Sequence, residues 1–334
     1  MPTSGPPLSR RQGLGLLAMA LTVLVWASFA LSIRAIATSS WTPADVALLR
    51  FGLPLLVLAP WLPRALRRVR GERPAVLAAL AIGAGLPYFL VCAAGGAMSS
   101  ATLVGVVVPG SVPVFVTALV AALWGASCSR RQLVALAGVV VGIVVIAGTG
   151  GGSSGSHVAG TAVLLAAGLV WSVYTLGLRA TRLDPVSAAV VVCLPSFVVV
   201  LLASVTGLLP SHLLAGASVT RELLMFAAVQ GVGVGVLAGL AYAVAIRELG
   251  APRAATIGAL SPVLVAVLAV PLLGEHLDAR VLVGGVLVVA SVLAFHVRPV
   301  RRARSVSPEV RDAPRPAAPV SARPGLVAGG ASRR

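Results

Sequence analysis

The 334-residue chain reads as an all-α membrane protein with ten transmembrane helices, arranged as two inverted five-helix repeats. Three observations lead there. First, 58% of the residues are hydrophobic and 10% are charged, against about 25% charged in a soluble domain. Second, ten apolar stretches each approach the roughly 20 residues that a helix needs to cross about 30 Å of hydrocarbon. Third, a patterned run in the first stretch recurs 145 residues later, the mark of a tandem duplication.

The stretches must be helical, because lipid offers no partner to a backbone N–H or C=O. The first, 13–33, follows Arg10 and Arg11. Its small-residue triplet Ala18–Ala20 falls inside the stretch rather than after it, so it reads as a retained span and not a cleaved signal. Stretches 44–62, 75–97, 101–124 and 133–149 complete a first unit, 13–149. A Gly- and Ser-rich segment, 150–158, is expected to link it to a second unit, 159–297, with spans at 159–178, 186–207, 222–246, 255–274 and 281–297. Internal prolines at 54, 87, 109, 113, 195 and 262 predict kinked or interrupted helices. Residues 1–12 form a short N-terminus. Residues 298–334, rich in Arg, Pro, Ala and Ser, are expected to be a disordered basic tail.

All 26 cationic side chains are arginines, and with nine acids they give a formal charge of +17. On a soluble chain that excess would suggest nucleic acid. Sorting the arginines by alternate connections gives a different meaning: 22 fall on the side of the termini, three (Arg34, Arg221, Arg280) on the other, and Arg50 within a span. The positive-inside rule therefore puts both termini in the cytoplasm, in a multi-pass protein of the plasma membrane, and no nucleic-acid partner is expected.

The repeat is specific. Leu24-Val25-Trp26, Phe29, Leu31 and Arg34-Ala35 return as Leu169-Val170-Trp171, Tyr174, Leu176 and Arg179-Ala180. A weaker match pairs Pro113-Val114, Val116 and Gly125 with Pro262-Val263, Val265 and Gly274. Five spans per copy is odd, so the second copy enters the membrane from the opposite face. Inverted repeats of this kind underlie alternating access in secondary transporters.

Trp26 in the first span, Arg50-Phe51 in the second, the Pro-Val element followed by Gly, and Gly274-Glu275 before the last span together resemble the EamA family of the drug/metabolite transporter superfamily. The resemblance spans about 13–297. It implies a ten-helix carrier, often an exporter of amino acids or other small metabolites, with a central cavity between its halves. Ala126 departs from the pattern, since the first repeat lacks a counterpart of Glu275.

Arg50 is the one charge well inside a span, and a guanidinium there must face protein or water. It could anchor a substrate carboxylate or bind carbonyls at an unwound helix, or else snorkel to the surface or pair structurally with Asp45. Trp26, Tyr88, Trp171, Tyr174 and Tyr242 lie within spans and offer aromatic area with a polar edge for a cavity, or simple packing. Gln230 and Ser261 are the other polar candidates for that cavity. Pro109, Pro113 and Pro262 are candidate hinges or gates, or ordinary kinks. Asp45, Glu275 and Asp278 are the available carboxylates for coupling, or else a solvated boundary cluster. Trp41, Trp61 and Trp124 look like interfacial anchors. Gly231, Gly235 and Gly239 form a close-packing stripe.

The class that fits is a secondary transporter of a small molecule. A channel-like permease is the alternative, and a membrane-embedded enzyme is disfavoured because no span holds an acid or histidine near its middle. Three cysteines and four histidines lack metal-site spacing, and the Gly148–Gly155 run lacks the Lys-Ser/Thr ending of a phosphate loop. No metal, cofactor or catalytic residue is expected. Substrate, direction, coupling and oligomeric state are left open.

Overall fold

The computed structural model describes residues 10–148 and 154–296, and among them the secondary structure is entirely helical. Among the described residues nine helices are long and apolar enough to cross a membrane: α1 Arg10–Ile36, α2 Pro43–Val69, α3 Pro74–Ala97, α4 Ala101–Trp124, α5 Arg130–Ala147, α6 Ser156–Ala180, α7 Pro185–Val205, α8 Arg221–Leu249 and α9 Thr256–Leu273. The tenth apolar helix, α10 Ala279–Phe295, is slightly shorter. The expected tail, 298–334, lies outside the described residues.

Most starts carry a recognisable signal. Thr42 and Asp45 form a reciprocal capping box on α2, and Ser129 and Gln132 form one on α5. Ser100 caps α4, Asp184 caps α7 and Thr220 caps α8, each hydroxyl or carboxylate accepting from an otherwise orphan N–H. Gly125 and Gly274 end α4 and α9 at φ 64°, a left-handed turn that a Cβ would strain.

Several expectations are corrected. The second span runs past residue 62 through a 3-10 turn at Ala59–Trp61 to Val69, carrying Arg64, Arg67 and Arg68 on its last turns. Helix already covers Ser154 to His157, inside the expected linker. The third span is broken not at Pro87 but at Gly85, which is extended. There the Leu86 N–H donates to Ser196 Oγ (3.0 Å) on α7, which satisfies one of the donors that the interruption frees. Pro109 and Pro113 do not interrupt α4, whereas α9 is broken just before Pro262, at Ala259–Leu260. Trp41 is buried, its indole N–H donating to Thr220 Oγ1 (2.8 Å), while Trp61 and Trp124 are exposed.

The bundle is interleaved. α1 packs on α8 and α9, α6 on α3 and α4, α2 on α7 and α8, and α5 on α10. Two glycines let α5 and α10 touch: a Cβ at Gly142 would lie 2.8 Å from Gly284 O, and one at Gly284 2.7 Å from Gly142 O. Many large apolar side chains point outward, among them Leu17, Leu56, Val134, Leu202 and Val286. In water so much exposed leucine and valine would be unfavourable; in lipid it is the solvent-facing surface. The chain is a multi-pass membrane protein.

Candidate functional site

Arg50 sits two turns into α2 and is 7% exposed. Burial of a cation at this depth costs at least about 2.5 kcal/mol on insertion scales, so its surroundings have to offset that. Three aromatic rings do part of this: the guanidinium carbon lies 5.0 Å from the Phe29 centroid and 5.6 Å from those of Phe51 and Phe89, within cation–π range. Gln230 on α8 does the rest, its Oε1 accepting from Arg50 Nη1 at 2.6 Å. Arginine has donors only, so the amide oxygen must face it and the amide nitrogen must face away. That nitrogen donates to Ser32 Oγ (2.7 Å), and Ser32 in turn donates to Phe29 O (2.8 Å).

Arg50 does not pair with Asp45, nor does it reach the surface. Asp45 is spent at the start of α2, where it accepts from Thr42, from Ser211 Oγ (2.6 Å) and from the His212 and Leu213 amides. No described carboxylate pairs with the guanidinium. Its Nε is buried and has no hydrogen-bond partner.

Aromatic rings continue from this point. Phe29 stacks on Tyr88 (6.2 Å), Tyr88 meets Trp171 (4.7 Å), and Trp171 meets Tyr174 (4.9 Å). Four helices thereby converge on Arg50: α1 with Phe29 and Ser32, α3 with Tyr88 and Phe89, α6 with Trp171 and Tyr174, and α8 with Gln230. Close approach of α3 to α6 depends on Gly83, where a Cβ would lie 2.5 Å from the Tyr174 backbone nitrogen.

The other cavity candidates are elsewhere. Trp26 and Tyr242 pair with each other (5.2 Å) in a separate cluster with Met19, Ala245 and Ala254. Ser261 opens the second part of α9 and is buried, and it makes no hydrogen bond to the Arg50 group. Glu275 caps a neighbour: its carboxylate accepts from the Ala101 and Thr102 amides (2.5 and 3.3 Å) and from Thr102 Oγ1 (2.9 Å), holding the α9–α10 connection to the start of α4. It borders an open cleft of about 450 Å³ shared with Arg34, Ser100 and His157. Asp278 accepts from the Arg280 amide (3.1 Å). On the side of the arginine-rich loops, Arg68 donates to Asp184, and Glu72 accepts from Thr181 Oγ1 (2.6 Å) and the Arg182 amide (3.0 Å).

Sequence reasoning missed Ser32, Phe29, Phe51 and Phe89 as partners of Arg50. Phe29 and Ser32 share a helix face at i, i+3, which was a usable signal. Also unseen was an 11-residue π-helix, Ala227–Leu237, in the middle of α8. Such widened turns are rare and favour functional sites, and this one carries Gln230. It also changes the glycine stripe: Gly231 lies against Leu53 and Gly235 against Pro54, while Gly239 meets nothing.

Comparison with known proteins adds to the geometry. No curated protein matches the chain. A solved crystal structure, 20% identical, aligns over 88% of this chain and 99% of its own with a TM-score of 0.58, a likeness of fold. Residues 158–296 match the model of the EamA-like transporter family, a family of transporters rather than enzymes. The second half of the chain is thus similar to the EamA-like transporter family, in a protein whose described residues form ten apolar helices.

Proposed function

We propose that the protein is a secondary transporter that exports small metabolites or amino acids across the plasma membrane by alternating access, with both termini in the cytoplasm. The observation that carries this reading is Arg50, a buried cation with no acid partner among the described residues and an unused Nε, lodged among aromatic rings where four helices converge. A site of that kind suits a carboxylate attached to an amphipathic body. Arg50, Tyr88, Trp171, Tyr174 and Gln230 form the substrate site in this reading. Trp26 and Tyr242 form a second cluster, and in this reading they and Ser261 lie along the path.

The inverted five-helix repeat has support in the packing. Exchanging each helix for the fifth one along turns the α1–α8 contact into α6–α3 and the α2–α8 contact into α7–α3, and α2–α7, α4–α9 and α5–α10 turn into themselves; all these contacts are present. The reciprocal Gly142–Gly284 contact and the matching caps at Gly125 and Gly274 fit the same two-fold relation. α4 and α9 cross where Gly105 meets Val265, and Pro109, Pro113 and Pro262 are the hinge points we assign to their rocking.

Asp45 and Glu275 are committed to helix caps, and neither they nor Asp278 stands beside Arg50. Export of an anion needs no proton site, because an inside-negative potential of 100 mV favours it by about 2.3 kcal/mol per charge. The test compares metabolites inside and outside cells that carry no protein, the parent, or the Arg50→Gln variant at equal membrane level. A compound expelled by the parent and retained with Arg50→Gln is the expected result; equal efflux from both would remove Arg50 as the anchor. Saturable flux in proteoliposomes separates a carrier from a channel-like permease.

A further inference from the structure

Arg50 presents its hydrogen-bonding groups unequally. Nη1 is held by Gln230, and Gln230 is held in turn by Ser32, so that edge of the guanidinium is fixed in place by a chain of three side chains ending on a backbone carbonyl. Nε, on the other edge, is buried without a partner. A planar guanidinium with one edge pinned and the other unused is arranged for a two-point contact with an oxyanion. The charge count around it is just as one-sided. Phe29, Phe51 and Phe89 surround the cation, and the described carboxylates Asp45, Asp184 and Glu275 are bonded to other partners. None of these is left to hold a substrate ammonium. Pro54 removes the N–H that would have met the Arg50 carbonyl. That carbonyl is covered by Gly235, where even a Cβ would come within 3.3 Å of it.

Resting on the carrier reading above, we infer that the substrate is an organic monoanion, a carboxylate on an apolar or aromatic body with no ammonium group, and that Gln230 is the positioning residue that presents the free edge of Arg50 to it. Gln230 acts by being neutral. Its oxygen orients the guanidinium without cancelling the charge, so the site keeps a net positive charge for the incoming carboxylate.

Three compounds of one skeleton test this: 3-phenylpropionate, phenylalanine and phenethylamine, titrated into the full-length protein in detergent micelles and followed by tryptophan fluorescence. Trp171 lies in the aromatic chain next to Tyr88 and serves as the reporter. The parent should bind 3-phenylpropionate at least about tenfold more tightly than phenylalanine, and phenethylamine not at all. Gln230→Glu, which places an anion on Arg50, should lose 3-phenylpropionate binding while keeping or raising the thermal midpoint. Gln230→Leu should weaken binding and narrow the preference over phenylalanine, because the guanidinium is then free to turn. Equal or better binding of phenylalanine or phenethylamine, absence of 3-phenylpropionate binding at millimolar concentration, or parental affinity in Gln230→Glu would each overturn the inference. The cellular efflux test reports on the carrier reading separately, so either can fail without the other.

Discussion

Arg50 is a residue whose environment makes chemical sense only if its charge is used. A structural cation at this depth would be expected to meet an acid, yet its partners are an amide oxygen and three aromatic faces. Shape matters here as well as charge. Arg50→Lys keeps the cation but replaces a planar fork with a point charge that cannot hold Gln230 and a carboxylate along separate edges. The expected outcome is a normally inserted protein whose transport affinity falls at least about tenfold, roughly 1.4 kcal/mol, measured as the concentration dependence of efflux in proteoliposomes. Parental affinity in Arg50→Lys would mean that charge alone suffices. Arg50 itself was legible in the sequence, as the one intramembrane charge. Gln230 was a candidate for the same cavity, but its bond to Arg50 and the roles of Ser32 and Phe89 were not legible, because these residues come from three other helices and their meeting depends on how those helices cross.

At the scale of single helices, the interruption of α3 is the most informative feature. Two prolines, Pro87 and Pro195, drew attention in the sequence, but the break is made at Gly85 and closed by Ser196 from α7. A Cβ at Gly85 would lie 2.0 Å from Ala81 O and 2.4 Å from Ser196 Oγ, and the first of these atoms is backbone that cannot swing away. Gly85→Ala should therefore destabilise the protein by about 1–3 kcal/mol, read as a lowered thermal midpoint in detergent; an unchanged midpoint would show that the break relaxes freely. α7 offers a second test at its cap. Partial burial works against ionisation of Asp184, but hydrogen bonds from Ser187 and Arg68 outweigh it and hold the carboxyl down at about 2. Since this lies below the usual value near 3.9, the cap's contribution is complete above about pH 4 and is lost as pH falls through about 2. Asp184→Ala should cost about 1 kcal/mol near neutral pH, and the gap from the parent should close in acid. A gap that persists in acid would assign the loss to packing rather than to the carboxylate.

For the molecule as a whole, the arginine asymmetry gives an orientation that can be tested with native residues. Cys128 lies in the connection between α4 and α5 beside Arg130 and Arg131, and is partly exposed, whereas Cys92 and Cys193 are buried. With cytoplasmic termini, that connection is cytoplasmic. A membrane-impermeant maleimide should label the protein in inside-out vesicles and not in intact spheroplasts, and Cys128→Ser should abolish the labelling. Labelling from the outer side would invert the topology and, with it, the inferred direction of transport.

Composition and periodicity by themselves determined that this chain is helical, that it belongs in lipid, and where its spans lie to within a few residues, because each of those properties is set by local hydrophobicity against one solvent. Agreement is weakest where chemistry between helices intervenes: the extension of α2 to Val69, the break at Gly85, the burial of Trp41 against Thr220, and the π-helix of α8. Composition also made Trp26 and Trp171 look like equivalent cavity residues. Only the tertiary structure decided that Trp171 joins the chain of rings leading to Arg50 while Trp26 turns to Tyr242 in a separate cluster. The physical reason is that a span is defined by its own residues against lipid, whereas a site is defined by the distances between side chains on different spans. Those distances follow from close helix approaches, at Gly83, Gly235, Gly142 and Gly284, and even where a glycine stripe is visible in the sequence, as at Gly235, the helix it meets is not.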